Sequence, residues 1–149
     1  MSYHIKDYMS KDVVTIEMSE SALAASKLMT EKEIGYIIVV SNSKPTGMIT
    51  ERDLVMRIMA KEKDPSKVKV SEVMSAPLIT IDLNASVEDA VNMMAKYKIR
   101  RLPVVGENRI YGVFTTRDLT KNFSKYEDRV TRDLVGAQDF YGNSPEVNF

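Results

Sequence analysis

The sequence contains no cysteine and a single histidine, His4. Without cysteine, neither a disulfide bond nor a thiolate-ligated metal site can form, and one histidine cannot make a histidine cluster. The 21 basic and 21 acidic side chains cancel, so no overall field draws the chain to a nucleic-acid backbone or an anionic membrane. The composition therefore predicts no metal site and argues against nucleic acid as a partner.

Long apolar runs are also absent. The most apolar stretch, residues 36–40 (YIIVV), is far too short to cross a bilayer. Near the N-terminus, His4, Lys6 and Asp7 occupy the place where a secretory signal would need apolar residues. We therefore expect a soluble, cytoplasmic protein with no membrane partner.

The residues that are present predict a folded chain. Hydrophobic residues make up 44% and charged residues 28% of the 149 positions, which is typical of soluble globular proteins. A piece of about 60 residues buries too little apolar surface to be stable alone. Two small units would therefore depend on each other.

An internal repeat dominates the sequence. The segment GMITERDL at residues 47–54 returns as GVFTTRDL at residues 112–119. A shift of 65 positions superposes residues 9–54 on residues 74–119 without a gap. The identical pairs include Met9/Met74, Ser10/Ser75, Thr50/Thr115, Asp53/Asp118 and Gly47/Gly112.

Each copy predicts the element order β-α-β-β-α. An extended piece (VVTIEM, LITIDL) precedes an amphipathic helix, and two apolar strands joined by the polar turns SNSK and GENR follow it. Ser86 and Asp89 form a predicted capping box at the start of the amphipathic helix of the second copy. We expect an α/β (α+β) fold with two small sheets packed across a pseudo-twofold axis and helices outside, divided into residues 1–66, 67–124 and a C-terminal tail, 125–149.

The repeated corner after the fourth element supports two interpretations. Thr50 and Thr115 stand where a strand ends and a helix begins, so their hydroxyls can cap the helix, with Asp53 and Asp118 at its positive end. The same geometry also suits a nucleotide, because a helix N-terminus offers N–H groups to phosphate. A carboxylate there can accept hydrogen bonds from the two hydroxyls of a ribose.

The order and spacing of these motifs resemble a tandem pair of cystathionine-β-synthase (CBS) domains, often called a Bateman module. The resemblance covers about residues 5–124, from MSKDVVTI through GMITERDL to GVFTTRDL. It implies that adenine nucleotides (AMP, ADP, ATP or related adenosyl ligands) bind in clefts between the two copies and regulate another activity.

The resemblance also implies the ligand-binding residues. Thr50, Asp53, Thr115 and Asp118 would hold the ribose and the adjoining phosphate. The adenine and phosphate ends would be lined by residues at the starts of the first and second strands of each copy: Thr15, Ile16, Thr80, Ile81, Gly35, Tyr36, Ile37, Arg100, Arg101 and Leu102. Arg52 and Arg117 are repeated beside the aspartates and are either further ligand contacts or surface ion-pair partners.

The two clefts are not equivalent in sequence. The second copy carries Arg100 and Arg101 before its strand, whereas the first carries Gly35 and Tyr36 there. A guanidinium fork matches phosphate oxygens. We therefore expect the cleft served by the two arginines to hold a phosphorylated ligand more tightly.

No nucleophile with a base, shielded carboxylate pair or metal cluster is visible, so we expect no enzyme and no catalytic cofactor. A ligand-sensing module that acts on a separate effector protein, or on its own assembly as a homodimer, is the leading hypothesis. A ligand-free scaffold of the same fold is the alternative, and a nucleic-acid binder is a third. For residues 125–149 we expect a short helix and a loose end that docks or frays.

Overall fold

The computed structural model describes residues 3–123, apart from the side chain of Phe123. The expectation for residues 125–149 lies outside this range. The chain divides into two compact units. Residues 11–80 form the first unit, and residues 3–10 with those from 81 onward form the second.

The first unit is a three-stranded sheet with helices. Its elements are β1 (Thr15–Glu17), α1 (Ala22–Lys32), β2 (Tyr36–Ser41), β3 (Lys44–Thr50), α2 (Glu51–Leu54), a π-helical continuation (Val55–Met59) and α3 (Val70–Val73). The central strand β2 pairs parallel with β1 and antiparallel with β3.

The second unit has the same plan. A 3₁₀ turn (Ile5–Asp7) comes first, followed by β4 (Ile81–Asp82), α4 (Val87–Tyr97), β5 (Arg101–Gly106), β6 (Arg109–Thr115) and α5 (Thr116–Phe123). Strand β5 is central, parallel to β4 and antiparallel to β6. The predicted mixed α+β class and the doubled β-α-β-β-α order are confirmed, while the packing across a pseudo-twofold axis stays a prediction.

The two hairpins use turns with left-handed backbone. The φ angles are 50° and 67° at Asn42 and Ser43, and 46° and 63° at Glu107 and Asn108. Two consecutive positive φ angles match the twist of the flanking strands, as in a type I′ turn. The hairpins predicted from SNSK and GENR are confirmed.

The helices bury the faces that their spacing predicts. Helix α1 buries Ala22, Ala25 and Met29, and α4 buries its equivalent face of Val87, Ala90 and Met94. The predicted capping box is present: Ser86 Oγ accepts from the Asp89 N–H at 3.0 Å, and Asp89 Oδ2 accepts from the Ser86 N–H at 3.2 Å. Apolar burial by these helices and the sheet supplies the core of each unit.

A Met-Ser dipeptide extends each sheet beyond its third strand. Ser75 and Met48 exchange backbone hydrogen bonds of 2.8 and 2.9 Å in the first unit, and Ser10 and Val113 exchange two of 2.9 Å in the second. In the repeat, Met9 and Ser10 begin the first copy, yet they lie in the second unit. The division at residues 66 and 67 describes the sequence motifs and stays a prediction.

Glycine permits this close approach. A Cβ atom on Gly47 would lie 2.7 Å from the Ser75 carbonyl oxygen and 2.9 Å from Met74 Sδ. Gly112 meets Ser10 and Met9 in the same way. The repeated Met, Ser and Gly are therefore three parts of one contact.

No helix within residues 3–123 has both the length and the apolar character needed to cross a bilayer.

Candidate functional site

The second unit places Thr115 and Asp118 at the corner between β6 and α5. Thr115 Oγ1 accepts a hydrogen bond from the Asp118 N–H at 3.1 Å. Asp118 Oδ2 accepts from the Thr115 N–H at 2.9 Å and from its hydroxyl at 3.1 Å. The expected cap is thus reciprocal and fixes the carboxylate through one of its two oxygens.

The first unit repeats this geometry at Thr50 and Asp53. The Asp53 N–H donates to Thr50 Oγ1 at 3.3 Å, and Asp53 Oδ2 accepts from the Thr50 N–H at 2.9 Å and its hydroxyl at 3.1 Å. Asp53 is 6% exposed, whereas Asp118 is half-buried. Both corners therefore form, but the two aspartates differ in burial.

Two further residues contact Asp53, and sequence reasoning missed both. The Ser75 hydroxyl donates to Asp53 Oδ1 at 3.0 Å, and Arg57 Nη1 lies 3.7 Å from the same oxygen. Arg57 Nη1 also donates to the carbonyls of Val73 and Met74 at 2.9 Å each. The i, i+4 spacing of Asp53 and Arg57 and the repeated Ser75 were the available signals.

The second copy lacks this arginine. At the position of Arg57 it has Asn122, whose amide donates to the backbone carbonyl of Asp118 at 2.8 Å. The carboxylate is not involved in that bond. The two copies therefore differ in the residue one helical turn after the aspartate: Arg57 faces the carboxylate of Asp53, whereas Asn122 bonds to the backbone of Asp118.

Arg100 and Arg101 lie beside the second corner. Arg101 is paired with Thr115 in the β5–β6 register, and the Thr116 N–H donates to the Arg100 carbonyl at 3.0 Å. Arg100 is exposed and Arg101 is half-buried. The structure thus brings the backbone of Arg100 and Arg101 next to the corner that carries Thr115 and Asp118.

At the first corner the equivalent positions carry no positive charge. Tyr36 pairs with Thr50 in the β2–β3 register, and the Glu51 N–H donates to the Gly35 carbonyl at 3.0 Å. The backbone arrangement is the same in both units. The two corners therefore differ in the residues that flank them, and tighter binding of a phosphorylated ligand at the second corner stays a prediction.

The remaining predicted residues fall into three groups. Four apolar residues are buried, with side chains in the cores of their units: Ile16, Ile37, Ile81 and Leu102. Arg52 and Arg117 are exposed, and the Arg52 Nε–H points to Met56 Sδ at 3.2 Å. Thr15 is exposed and pairs with Ile38 at the start of β1, and the half-buried Thr80 is the last residue of the first unit. A ligand role for any of them stays a prediction.

Comparisons with known proteins give a consistent result. Residues 5–60 and 70–125 each match the family model described as the CBS domain. The CBS domain-containing protein YhcV of Bacillus subtilis (strain 168) is 38% identical over 118 residues, which cover 79% of this chain and 84% of that protein.

Two solved structures show the same architecture. The CBS domain pair of protein MJ0100, in complex with 5-methylthioadenosine and S-adenosyl-L-methionine, has a TM-score of 0.75 at 27% identity and covers 83% of this chain and 98% of that one. A hexameric CBS-CP12 protein from bloom-forming cyanobacteria has a TM-score of 0.77 at 27% identity, covering 98% and 88%.

Proposed function

Because the chain belongs to the CBS domain family and carries two CBS domains, we propose that it is a regulatory module that senses an adenine nucleotide. The ligand is AMP, ADP, ATP or a related adenosyl compound. The solved CBS pair of MJ0100 holds two adenosyl ligands, which supports this ligand class.

The observation that carries the proposal is the second corner. Asp118 lies at the start of α5, and Arg100 and Arg101 are next to it through the β5–β6 register and the Thr116 hydrogen bond. A carboxylate accepts hydrogen bonds from ribose hydroxyls, and a guanidinium donates two to phosphate oxygens. A 5′-nucleotide carries both groups a few ångströms apart.

Sensing requires that the ligand favour one conformation of the chain. A nucleotide stabilises the conformation that it binds best, and a partner that prefers that conformation then binds more tightly. The output is a separate effector protein or a change in self-assembly. The nucleotide is a regulatory ligand and not a catalytic cofactor, and we assign the module no enzymatic activity and a cytoplasmic location.

A homodimer is the proposed assembly. Val55, Met56 and Met59 are 53%, 51% and 74% exposed and lie together in the π-helical continuation of α2. When a second copy covers exposed apolar side chains, their surface is removed from water, and this burial stabilises the dimer. A twofold contact through this segment is self-complementary.

The second candidate function is a ligand-free scaffold. The reciprocal bonds at both corners favour it, because Thr and Asp would be kept for helix capping even without a ligand. This candidate requires no change in stability when nucleotides are added.

Thermal melting separates the two candidates. A ligand at a hundredfold over its dissociation constant stabilises the folded state by about 2.7 kcal/mol. We expect a raised melting temperature with AMP or ATP. An unchanged melting temperature with AMP, ATP, NAD and S-adenosylmethionine would leave the scaffold as the function.

A further inference from the structure

The carboxylate of Asp53 is largely occupied by hydrogen bonds from the protein itself. An ionised carboxylate has about four acceptor positions on its two oxygens. At Asp53, Oδ2 accepts from the Thr50 N–H and hydroxyl, and Oδ1 accepts from the Ser75 hydroxyl and faces Arg57 Nη1. Three of the four positions are therefore occupied by hydrogen bonds and the fourth faces Arg57, so the two hydroxyls of a ribose would not both find an acceptor there.

Asp118 differs from Asp53 in the hydrogen bonds of its Oδ1 atom. Within residues 3–123, its carboxylate accepts from Thr115 alone, through Oδ2. Among these residues none donates to Oδ1, so they leave two acceptor positions on that oxygen, as many as the two hydroxyls of a ribose require. Asp118 is half-buried as a residue, whereas Asp53 is 6% exposed.

The donors on Asp53 hold a distant segment in place. Arg57 donates to the carbonyls of Val73 and Met74 at the end of α3, where a cation satisfies carbonyls that the helix leaves unpaired. Ser75 follows directly and bonds to Asp53. We call Asp53, Arg57 and Ser75 the clamp, because they join residues 73–75 to the corner at residues 50–53.

We propose that the two corners have divided roles: the first is a structural clamp, and the second alone holds the ribose, so that one nucleotide binds per chain. The assignment of the second corner rests on the proposed function. The clamp itself does not, because all of its contacts are between residues of the protein.

The clamp is tested first without ligand, by a double-mutant cycle on melting temperature. The variants are Ser75→Ala, Asp53→Asn and both together, with Ser10→Ala and Asp118→Asn as the matched cycle in the second unit. We expect Ser75→Ala to lower the melting temperature in the wild-type background and much less in Asp53→Asn, since the shared bond is then already weakened. In the control cycle, we expect the effects of Ser10→Ala and Asp118→Asn on the melting temperature to add.

Additive effects of Ser75→Ala and Asp53→Asn would overturn the clamp. If Asp53→Asn does not fold, the single variants decide the matter. Ser75→Ala is then expected to lower the melting temperature more than Ser10→Ala, and equal shifts would overturn the inference.

The ligand half is tested by isothermal titration calorimetry with AMP on the full chain. We expect one AMP per chain, a loss of affinity of about tenfold or more in Asp118→Asn, and unchanged affinity and stoichiometry in Ser75→Ala. Two AMP per chain, or loss of one binding event in Ser75→Ala, would overturn the division of roles. If no adenosyl ligand binds the wild-type protein, the proposed function fails, and the cycle above still decides the clamp.

Discussion

The hydroxyl of Ser75 donates a 3.0 Å hydrogen bond to Asp53 Oδ1 across 22 positions of the chain. The repeat contains the same pair of residue types at Ser10 and Asp118. In both units the serine backbone bonds to the third strand. The Ser75 side chain makes the first unit different, because it contributes to a network that also includes Arg57.

Gly47→Ala is expected to destabilise the protein. The added Cβ would lie 2.7 Å from the Ser75 carbonyl oxygen, and this backbone atom cannot move without breaking the bonds to Met48. Overpacking of this kind costs about 1–3 kcal/mol. Urea denaturation of the variant and of the wild-type protein measures this loss of stability. Gly106→Ala is the control, because its nearest contact would be a Tyr111 side-chain carbon at 3.3 Å. Equal stability of the two variants would contradict the close approach.

Thr115→Ala separates capping from ligand binding. Loss of the hydroxyl removes a cap, which costs about 1 kcal/mol of folding stability. It also removes one of the two hydrogen bonds by which Thr115 holds the Asp118 carboxylate. Ser86→Ala removes an equivalent cap from α4, far along the chain from the corner. We expect both variants to lose stability in chemical denaturation and only Thr115→Ala to bind AMP more weakly. Equal AMP affinity in the two variants would assign Thr115 to capping alone.

Arg101→Ala is expected to weaken phosphate binding. A hydrogen bond to a charged group contributes about 1.5–3 kcal/mol, so AMP affinity should fall about tenfold or more by calorimetry, while adenosine affinity stays the same. Arg109→Ala removes the same charge from the other end of the β5–β6 hairpin, where Arg109 stacks on Tyr111. Unchanged AMP affinity in Arg101→Ala would remove this arginine from the site.

Met59→Glu is expected to weaken the homodimer. A charge placed in an apolar interface must be desolvated, at a cost of several kcal/mol, so the dimer should dissociate at concentrations where the wild-type protein stays paired. Tyr97→Glu, at an exposed aromatic on α4, is the control. Analytical ultracentrifugation measures both, and an intact Met59→Glu dimer would exclude this surface as the contact.

Local patterns in the sequence predicted most of the fold. The apolar spacing in α1 and α4 and the Ser86–Asp89 box each depend on residues within about a turn of one another. The same is true of the two hairpins, whose turns lie between adjacent strands. Interactions of this kind leave a periodic or short-range signal that one sequence displays.

Two features could not be predicted from such patterns. The helix after Thr50 widens to a π-helix at Val55–Met59, although no glycine or proline marks the change. The clamp on Asp53 depends on a bond between residues far apart in the chain. The repeated serine at positions 10 and 75 and the i, i+4 spacing of Asp53 and Arg57 were the signals that the sequence contained.

The second corner was predicted in part. Its capping bonds and the proximity of Arg101 follow from the order strand, turn, strand, helix. That Thr115 binds only one oxygen of Asp118 depends on side-chain geometry, which the sequence pattern does not contain.

The most direct test of the account is calorimetric titration of AMP into the wild-type protein and into Asp118→Asn. We expect saturable binding to the wild-type chain and an affinity reduced about tenfold or more in the variant. The amide has no charge and offers one oxygen acceptor where the carboxylate offers two. Equal affinity in the two proteins would contradict the assignment of Asp118 as the ribose acceptor.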